Sequence, residues 1–192
     1  MLDLNCLGES FMREAYSDER FREALGIVSA NSRGKIWLIG GFLYKTLIKI
    51  MHETEITCKD FDFIVERGRR LDLPEGWKSR TNRFGNPELR SENNCVDFIP
   101  LDNLLYLRGK RMEPNITNYL ASVNFSVFAL AYDLREEKII DGGAIAALEM
   151  KVVGVHNPEA AKFSAGVYNK TINEMLRTRA VELGFRAEFV SD

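Results

Sequence analysis

The fold is decided by Ile36-Trp37-Leu38-Ile39-Gly40-Gly41-Phe42-Leu43-Tyr44-Lys45 and by Lys59-Asp60-Phe61-Asp62-Phe63-Ile64-Val65. The first stretch is an apolar run that ends in Gly-Gly and passes into a helical pattern. The second is an apolar run that carries two aspartates. Backbone N–H groups at a strand-to-helix turn can hold phosphate, and paired carboxylates can hold a metal ion. The two stretches together predict a small α/β domain that brings phosphate and metal to one place.

The Gly-Gly dipeptide is predicted to sit at a strand-to-helix turn. Lys35–Ile39 is apolar enough for a buried strand, and Phe42–Glu53 has helical periodicity. The apolar positions of that helix are Leu43, Leu47, Ile50 and Met51. Glycine lets an anion approach the main chain, so Gly40 and Gly41 are candidate phosphate-binding residues. Taken alone, the dipeptide is a weak signal, because most Gly-Gly turns only turn the chain.

The stretch Lys59–Glu66 reads as a strand in which side chains alternate between two faces. Asp60 and Asp62 then share one face, about 7 Å apart, while Phe61 and Phe63 point to the other. Two carboxylates on an apolar strand repel each other and are costly to desolvate, and a metal cation offsets both costs. The alternative is a half-exposed edge strand with two solvated aspartates.

A third apolar strand, Cys95–Ile99, carries a single carboxylate, Asp97. If it pairs beside the strand of Asp60 and Asp62, Asp97 can face both of them. Three acids on one face are what two-metal phosphoryl chemistry requires. Asp60, Asp62 and Asp97 are therefore the candidate catalytic and metal-binding residues.

The region between these strands is basic. Residues 67–90 contain seven basic and three acidic residues together with two prolines and three glycines. We expect a loop or a short hairpin beside the site, suited to phosphate or an RNA backbone; an ordinary solvated loop is the alternative.

The remaining pattern predicts mostly helices. Residues 1–16 show no clear period, and Ser17 is the predicted N-cap of the first helix. Residues 119–132 are apolar and predict a helix, and residues 138–141 a short strand. Residues 157–184 predict one or two helices that start with Asn157 as the cap and Pro158 at the first helical position.

Composition limits the classes of function. The chain has 192 residues, 45% of them hydrophobic, and a formal net charge of -2, so it offers no global field for a polyanion. Three scattered cysteines and two isolated histidines do not predict zinc. No apolar run is long enough for a membrane span, and the first residues lack the order of a signal peptide, so we expect a cytoplasmic protein.

Three blocks of the sequence resemble a known family. In chain order they are Leu38–Gly41 with Asp60–Phe63, then Val96–Phe98, then Asn124–Asp133 with Ile139–Gly143 and Ala147–Glu149. They are similar to motifs of the head domain shared by CCA-adding tRNA nucleotidyltransferases and bacterial poly(A) polymerases, within the DNA polymerase β-like superfamily. Together the blocks span about residues 35–155 in the family's order. The resemblance implies a mixed β-sheet nucleotidyltransferase fold flanked by helices.

The resemblance also implies roles for individual residues. Asp60 and Asp62 would ligate two Mg²⁺ ions, and Asp97 would help position the metal that activates the acceptor hydroxyl. Gly40 and Gly41 would hold the triphosphate of an incoming NTP. Tyr44, Lys45 and Asn124 occupy further positions at which the family contacts the nucleotide.

Several positions depart from the family. Its Arg-Asp after Gly-Gly is Tyr44-Lys45 here, and its Arg-Arg-Asp is Ser122-Val123-Asn124. The lost arginines weaken the grip on the nucleotide unless Lys45 or the basic residues of 67–90 replace them. The family's base-reading motif is not recognisable, so the base stays open.

The resulting expectation is a nucleotidyltransferase domain over residues 1–155 with a helical extension, residues 156–192, packed on it. It would transfer NMP from NTP to a hydroxyl, in the first place at an RNA or tRNA 3′ end, and release pyrophosphate. A protein partner or a second copy of the chain would supply further RNA surface. The alternatives are nucleotidylation of a small molecule or a protein, and a non-catalytic nucleotide- or RNA-binding module of the same fold.

Overall fold

A computed structural model describes residues 3–190, and its centre is a mixed seven-stranded sheet. The strands are β1 (Ser32–Ile39), β2 (Asp60–Gly68), β3 (Lys78–Thr81), β4 (Pro87–Arg90), β5 (Cys95–Pro100), β6 (Leu130–Asp133) and β7 (Lys138–Asp141), in the spatial order β3-β4-β5-β2-β1-β6-β7. β2 and β5 run parallel, and the other neighbouring pairs run antiparallel. A short parallel pair, β8 (Val152–Val153) with β9 (Arg186–Ala187), lies apart from this sheet.

Helices cover both faces of the sheet. They are α1 (Leu4–Ser17), α2 (Glu19–Ala30), α3 (Gly40–His52), α4 (Leu105–Lys110), α5 (Ile116–Ala121), α6 (Ala144–Glu149), α7 (Pro158–Tyr168) and α8 (Ile172–Leu183). α1, α2 and α3 pack on one face, and α5 packs on the other. The predicted fold class, a mixed sheet flanked by helices, is confirmed. Among residues 3–190, no helix combines the length and the apolar character that a membrane crossing needs.

The alternation of β2 separates the core from the candidate site. Phe61 and Phe63 are buried in the larger core cluster, against α2 and α3. Asp60 and Asp62 point to the opposite face, where Ile64 belongs to a smaller apolar cluster with residues of β1, β6 and α5. The pattern predicted for this strand is therefore confirmed, and the aspartates emerge from a sheet whose other face is packed with aromatic rings.

Two predictions near the N-terminus are wrong. Residues 4–17 form α1, whose Leu7, Phe11 and Ala15 are buried at helical spacing. The irregular polar residues between them hid this period. Ser17 belongs to α1, and the N-cap of α2 is Asp18, whose carboxylate accepts a hydrogen bond from the backbone N–H of Arg20.

The helix predicted over residues 119–132 is also wrong. α5 ends at Ala121, a single 3-10 turn covers Ser126–Phe128, and β6 follows. All four residues of β6 are buried because the strand lies inside the sheet, between β1 and β7. A strand buried on both faces is continuously apolar, and periodicity cannot distinguish it from a buried helix.

Other local predictions are confirmed. The basic region contains the β3–β4 hairpin, β7 covers residues 138–141, and the C-terminal helices form as two. Asn157 caps α7 by accepting from the N–H of Ala160, and Gly184, in the left-handed conformation, ends α8. The domain boundary at residue 155 stays a prediction.

A buried carboxylate joins β1 to β6, and its removal should destabilise the fold. Asp133 is 1% exposed and accepts hydrogen bonds from Trp37 Nε1 and Lys35 Nζ, both at 3.2 Å. We expect Asp133→Ala to lower the free energy of unfolding by about 2–4 kcal/mol, because it leaves the buried indole N–H without its acceptor. Urea titration measures this change.

The matched control is Glu136→Ala, since the exposed Glu136 carboxylate also pairs with Lys35. We expect a loss below about 0.5 kcal/mol there. Equal effects of the two substitutions would contradict the role assigned to Asp133.

Candidate active site

The parallel pairing of β2 with β5 places Asp62 directly opposite Asp97. Asp60 lies two residues earlier on the same face of β2, exposed to solvent, whereas Asp62 and Asp97 are half-buried. The prediction that the strand of Asp97 pairs beside the Asp-x-Asp strand is confirmed. The alternative of an edge strand is wrong, because β2 lies between β1 and β5. Their role as metal ligands stays a prediction.

The adjoining carboxylates disfavour each other's charge. Burial, reinforced by the nearby charge of Asp97, raises the pKa of Asp62 to about 7. Burial also raises the pKa of Asp97, although Asn82 Nδ2 donates to its Oδ1 at 3.1 Å and partly opposes the shift. Such a pair binds a proton or a cation readily, because either one relieves the repulsion.

The donor set suits a hard cation. Carboxylate oxygens are the ligands that Mg²⁺ prefers, and Asp62 and Asp97 are directly paired across β2 and β5. Among residues 3–190, no cluster of three or more His, Cys, Asp or Glu side chains is assembled as a metal site. The fit to a metal therefore depends on the carboxylates of Asp62 and Asp97. Asp60 lies nearby on β2 but does not form a three-carboxylate cluster with them.

The strand-to-helix turn and Asp62 form one unit. β1 ends at Ile39 and α3 begins at Gly40, as predicted. Gly40 has φ +72°, and a Cβ there would lie 2.1 Å from Asp62 Oδ2, so any other residue would strain the backbone and displace the Asp62 carboxylate. The N–H of Gly41 points at the same oxygen, at 3.4 Å. The requirement for Gly40 is thus explained by the backbone and by Asp62; phosphate binding by Gly40 and Gly41 stays a prediction.

Two cavities meet at this turn, and both are lined by Gly41, Tyr44, Asp62 and Arg179. The first, of about 360 Å³, is called the aromatic cavity after the side chains on its wall. Besides Tyr44, these are Phe84, Tyr106, Tyr119, Phe128, Phe163 and Tyr168. The second, of about 420 Å³, is called the polar cavity and is also lined by Lys45, Lys59, Asp60 and Glu182. Asp97 lines the aromatic cavity.

The other predicted nucleotide-binding residues lie around these cavities. Tyr44 is buried, and Lys45 Nζ contacts Glu182 Oε1 at 2.6 Å and donates to the carbonyl oxygen of Thr57 at 3.0 Å. Asn124 lines the aromatic cavity, and its Oδ1 accepts from the N–H of Phe125 at 3.0 Å. The structure therefore brings all three near Asp62, while their part in nucleotide binding stays a prediction.

Sequence reasoning missed Arg179. Its Nη1 donates to Tyr44 Oη at 2.8 Å, and its guanidinium lies 5.0 Å from the ring centre of Phe128. We expected Lys45 or the basic residues of 67–90 to supply the cations of the site, whereas this guanidinium comes from α8. A signal was available: Arg179 follows the buried Leu176 by three residues and precedes the buried Leu183 by four, so it shares their face of the helix.

Comparison with known proteins shows the fold. No family model and no curated protein matches the chain. Among solved structures, a CCA-adding enzyme in complex with CTP superposes with a TM-score of 0.61 at 18% identity, covering 98% of this chain and 44% of that one. The Thermotoga maritima CCA-adding enzyme complexed with tRNA gives 0.58 at 18% identity, over 98% and 43%. An apo tRNA-processing enzyme gives 0.53 at 19% identity, over 87% and 42%. The chain thus has the nucleotidyltransferase fold and spans less than half the length of each of these proteins.

The raised pKa of Asp62 predicts a stability cost above neutral pH. Below pH 3.8, the pKa of this carboxyl in the unfolded chain, it is protonated in both the folded and the unfolded chain. As the pH rises from there, the unfolded chain loses this proton first, so the free energy of unfolding falls until the folded chain also ionises, at about pH 7. In the presence of a chelator, we expect Asp62→Asn to raise the free energy of unfolding at pH 8 by about 1–3 kcal/mol, because the amide carries no charge. The gain should vanish near pH 4.

The measurement is denaturant unfolding across pH 4–8, with Asp102→Asn as the control, because Asp102 is exposed and lies outside both cavities. An Asp62→Asn protein less stable than the parent chain at pH 8 would contradict the assigned electrostatics.

Proposed function

We propose that this chain is a metal-dependent nucleotidyltransferase. It moves an NMP from an NTP onto a hydroxyl at an RNA 3′ end, with tRNA as the first candidate, and releases pyrophosphate. One observation carries the proposal: Asp62 and Asp97 adjoin on parallel strands against the N-terminus of a helix that opens with Gly40-Gly41. Solved structures of this fold include a CCA-adding enzyme with CTP and another with tRNA, which supports NTP and RNA as ligands.

The reaction needs a charge arrangement that these residues supply. Asp62 and Asp97, with Asp60 beside them, would hold two Mg²⁺ ions, which lower the pKa of the attacking hydroxyl and stabilise the charge on the leaving pyrophosphate. The hydroxyl releases its proton to water and its oxygen forms a bond to the α-phosphorus, while the bond from that phosphorus to the bridging oxygen breaks and pyrophosphate leaves in line. Asn82 orients the Asp97 carboxylate by donating to its Oδ1.

The two cavities suit the two parts of a nucleotide. The polar cavity contains the helix N-terminus and cationic side chains beside Asp62, a setting for phosphate. The aromatic cavity offers rings on which a base can stack, and stacking is favourable for every base. On this assignment the α-phosphate lies near Asp62, where the cavities meet.

We also propose the division into residues 1–155 as the nucleotidyltransferase domain and 156–192 as a helical extension that completes the site. Phe163 and Tyr168 of α7 line the aromatic cavity, and Arg179 of α8 lines both cavities. Leu176 and Leu183 belong to the same core cluster as the sheet. The two parts should therefore unfold together.

The test is incubation with each labelled NTP, Mg²⁺ and total RNA, followed by electrophoresis. We expect label on RNA, released pyrophosphate, and a loss of at least about 100-fold in rate for Asp62→Asn and Asp60→Asn, because each removes a charge that the metal ions require. Asp102→Asn, exposed and outside both cavities, should keep the parent rate.

Absence of label from RNA with all four NTPs would contradict the RNA acceptor. Label on a product that migrates as neither RNA nor NTP would instead point to a small molecule. Equal rates for the parent chain and Asp62→Asn would contradict the assignment of the catalytic carboxylates.

A further inference from the structure

One carboxylate in the polar cavity is shared by two cations from different helices. Glu182 of α8 places Oε1 2.6 Å from Lys45 Nζ of α3 and Oε2 2.6 Å from Arg179 Nη1. The two oxygens of one carboxyl group are thus each bound to a different cation. All three side chains line the cavity that also contains Gly41 and Asp62.

Each of the two cations has a second partner besides the Glu182 carboxylate. The Lys45 side chain is 10% exposed, and its ammonium also donates to the carbonyl oxygen of Thr57 at 3.0 Å. The Arg179 guanidinium is fixed by Tyr44 Oη at 2.8 Å and lies over the Phe128 ring. Glu182 is 36% exposed, more than either cation. If the carboxylate leaves for solvent, these second partners therefore keep both cations in the cavity.

The position of this carboxylate is one that favours an anion. It lies between an ammonium and a guanidinium, in the cavity onto which the N-terminus of α3 opens. A phosphate group carries more charge and more acceptor oxygens than a carboxylate, and its bonds to Arg and Lys are charge-assisted. A polyphosphate in this position would keep both cations paired and would lie beside the carboxylates of the site.

We propose that Lys45 and Arg179 bind the terminal phosphates of the nucleotide. These phosphates displace the Glu182 carboxylate, which pairs with both cations when no nucleotide is bound. The identity of the ligand rests on the proposed nucleotidyltransferase function, whereas the anion site rests on the contacts of these three residues. In the chain without nucleotide, the Glu182 carboxylate is the anion between the two cations, and binding of the nucleotide exchanges it for phosphate. The exchange makes the grip on phosphate weaker than the two cations alone would give.

The test is calorimetric titration of the full chain with inorganic tripolyphosphate and Mg²⁺. Arg179→Ala should weaken binding by about 10-fold, because one charge-assisted contact is lost. Glu182→Gln should strengthen it by about 3- to 10-fold, because the competing charge is gone while the shape of the side chain is kept. The strengthened binding cannot come from a protein that fails to fold, so this variant guards the test against misfolding.

The matched control is Arg177→Ala, two residues from Arg179 on the same helix. Arg177 is exposed and its guanidinium lies over the ring of Phe189, at 5.5 Å, outside both cavities. We expect the affinity of this variant to equal that of the parent chain.

The inference is supported only if Arg179→Ala weakens binding and Glu182→Gln strengthens it. It is overturned if the parent chain does not bind tripolyphosphate, or if either variant binds like the parent. The proposed function fails in a different assay, the transfer of labelled NMP. A chain that shows the predicted binding pattern but transfers no NMP would keep the anion site and lose the proposed function.

Discussion

The parallel pairing of β2 with β5 is the constraint on which the rest of the structure depends. It places Asp62 opposite Asp97, two half-buried carboxylates whose charges repel. Two neighbouring residues accommodate the carboxylates. Gly40 has no side chain that would clash with the Asp62 carboxylate, and Asn82 Nδ2 donates a hydrogen bond to Asp97 Oδ1. On the other face of the sheet, Phe61 and Phe63 are buried among aromatic side chains of α2 and α3. One face of the sheet at β2 is thus apolar and packed, and the opposite face carries the carboxylates.

The C-terminal helices are part of the candidate site. Arg179 reaches Tyr44 and the cavity junction from α8, and Glu182 joins it to Lys45 of α3. These contacts connect residues more than 130 positions apart in the chain. Tyr44-Lys45 stands where the family that the sequence resembles has Arg-Asp. Arg179 of α8 nevertheless places a guanidinium beside this turn.

Local signals made much of this fold predictable, and the failures have physical reasons. The alternation of Asp60–Phe63, the Gly40-Gly41 turn and the cap at Asn157 are local features, and each was predicted correctly. The helix predicted over residues 119–132 extends wrongly into the buried strand β6, because burial on both faces removes the alternation of apolar and polar residues. The carboxylates were predictable from their own strands, whereas Arg179 and Glu182 depend on where α8 docks, which local pattern does not encode.

The most direct measurement is a crystal structure of the chain with Mn²⁺ and a non-hydrolysable NTP, using the anomalous signal of the metal. We expect an Mn²⁺ peak bound by oxygens of both Asp62 and Asp97, with the α-phosphate beside it at the N-terminus of α3. Nucleotide bound elsewhere, or a metal peak that involves neither carboxylate, would contradict it.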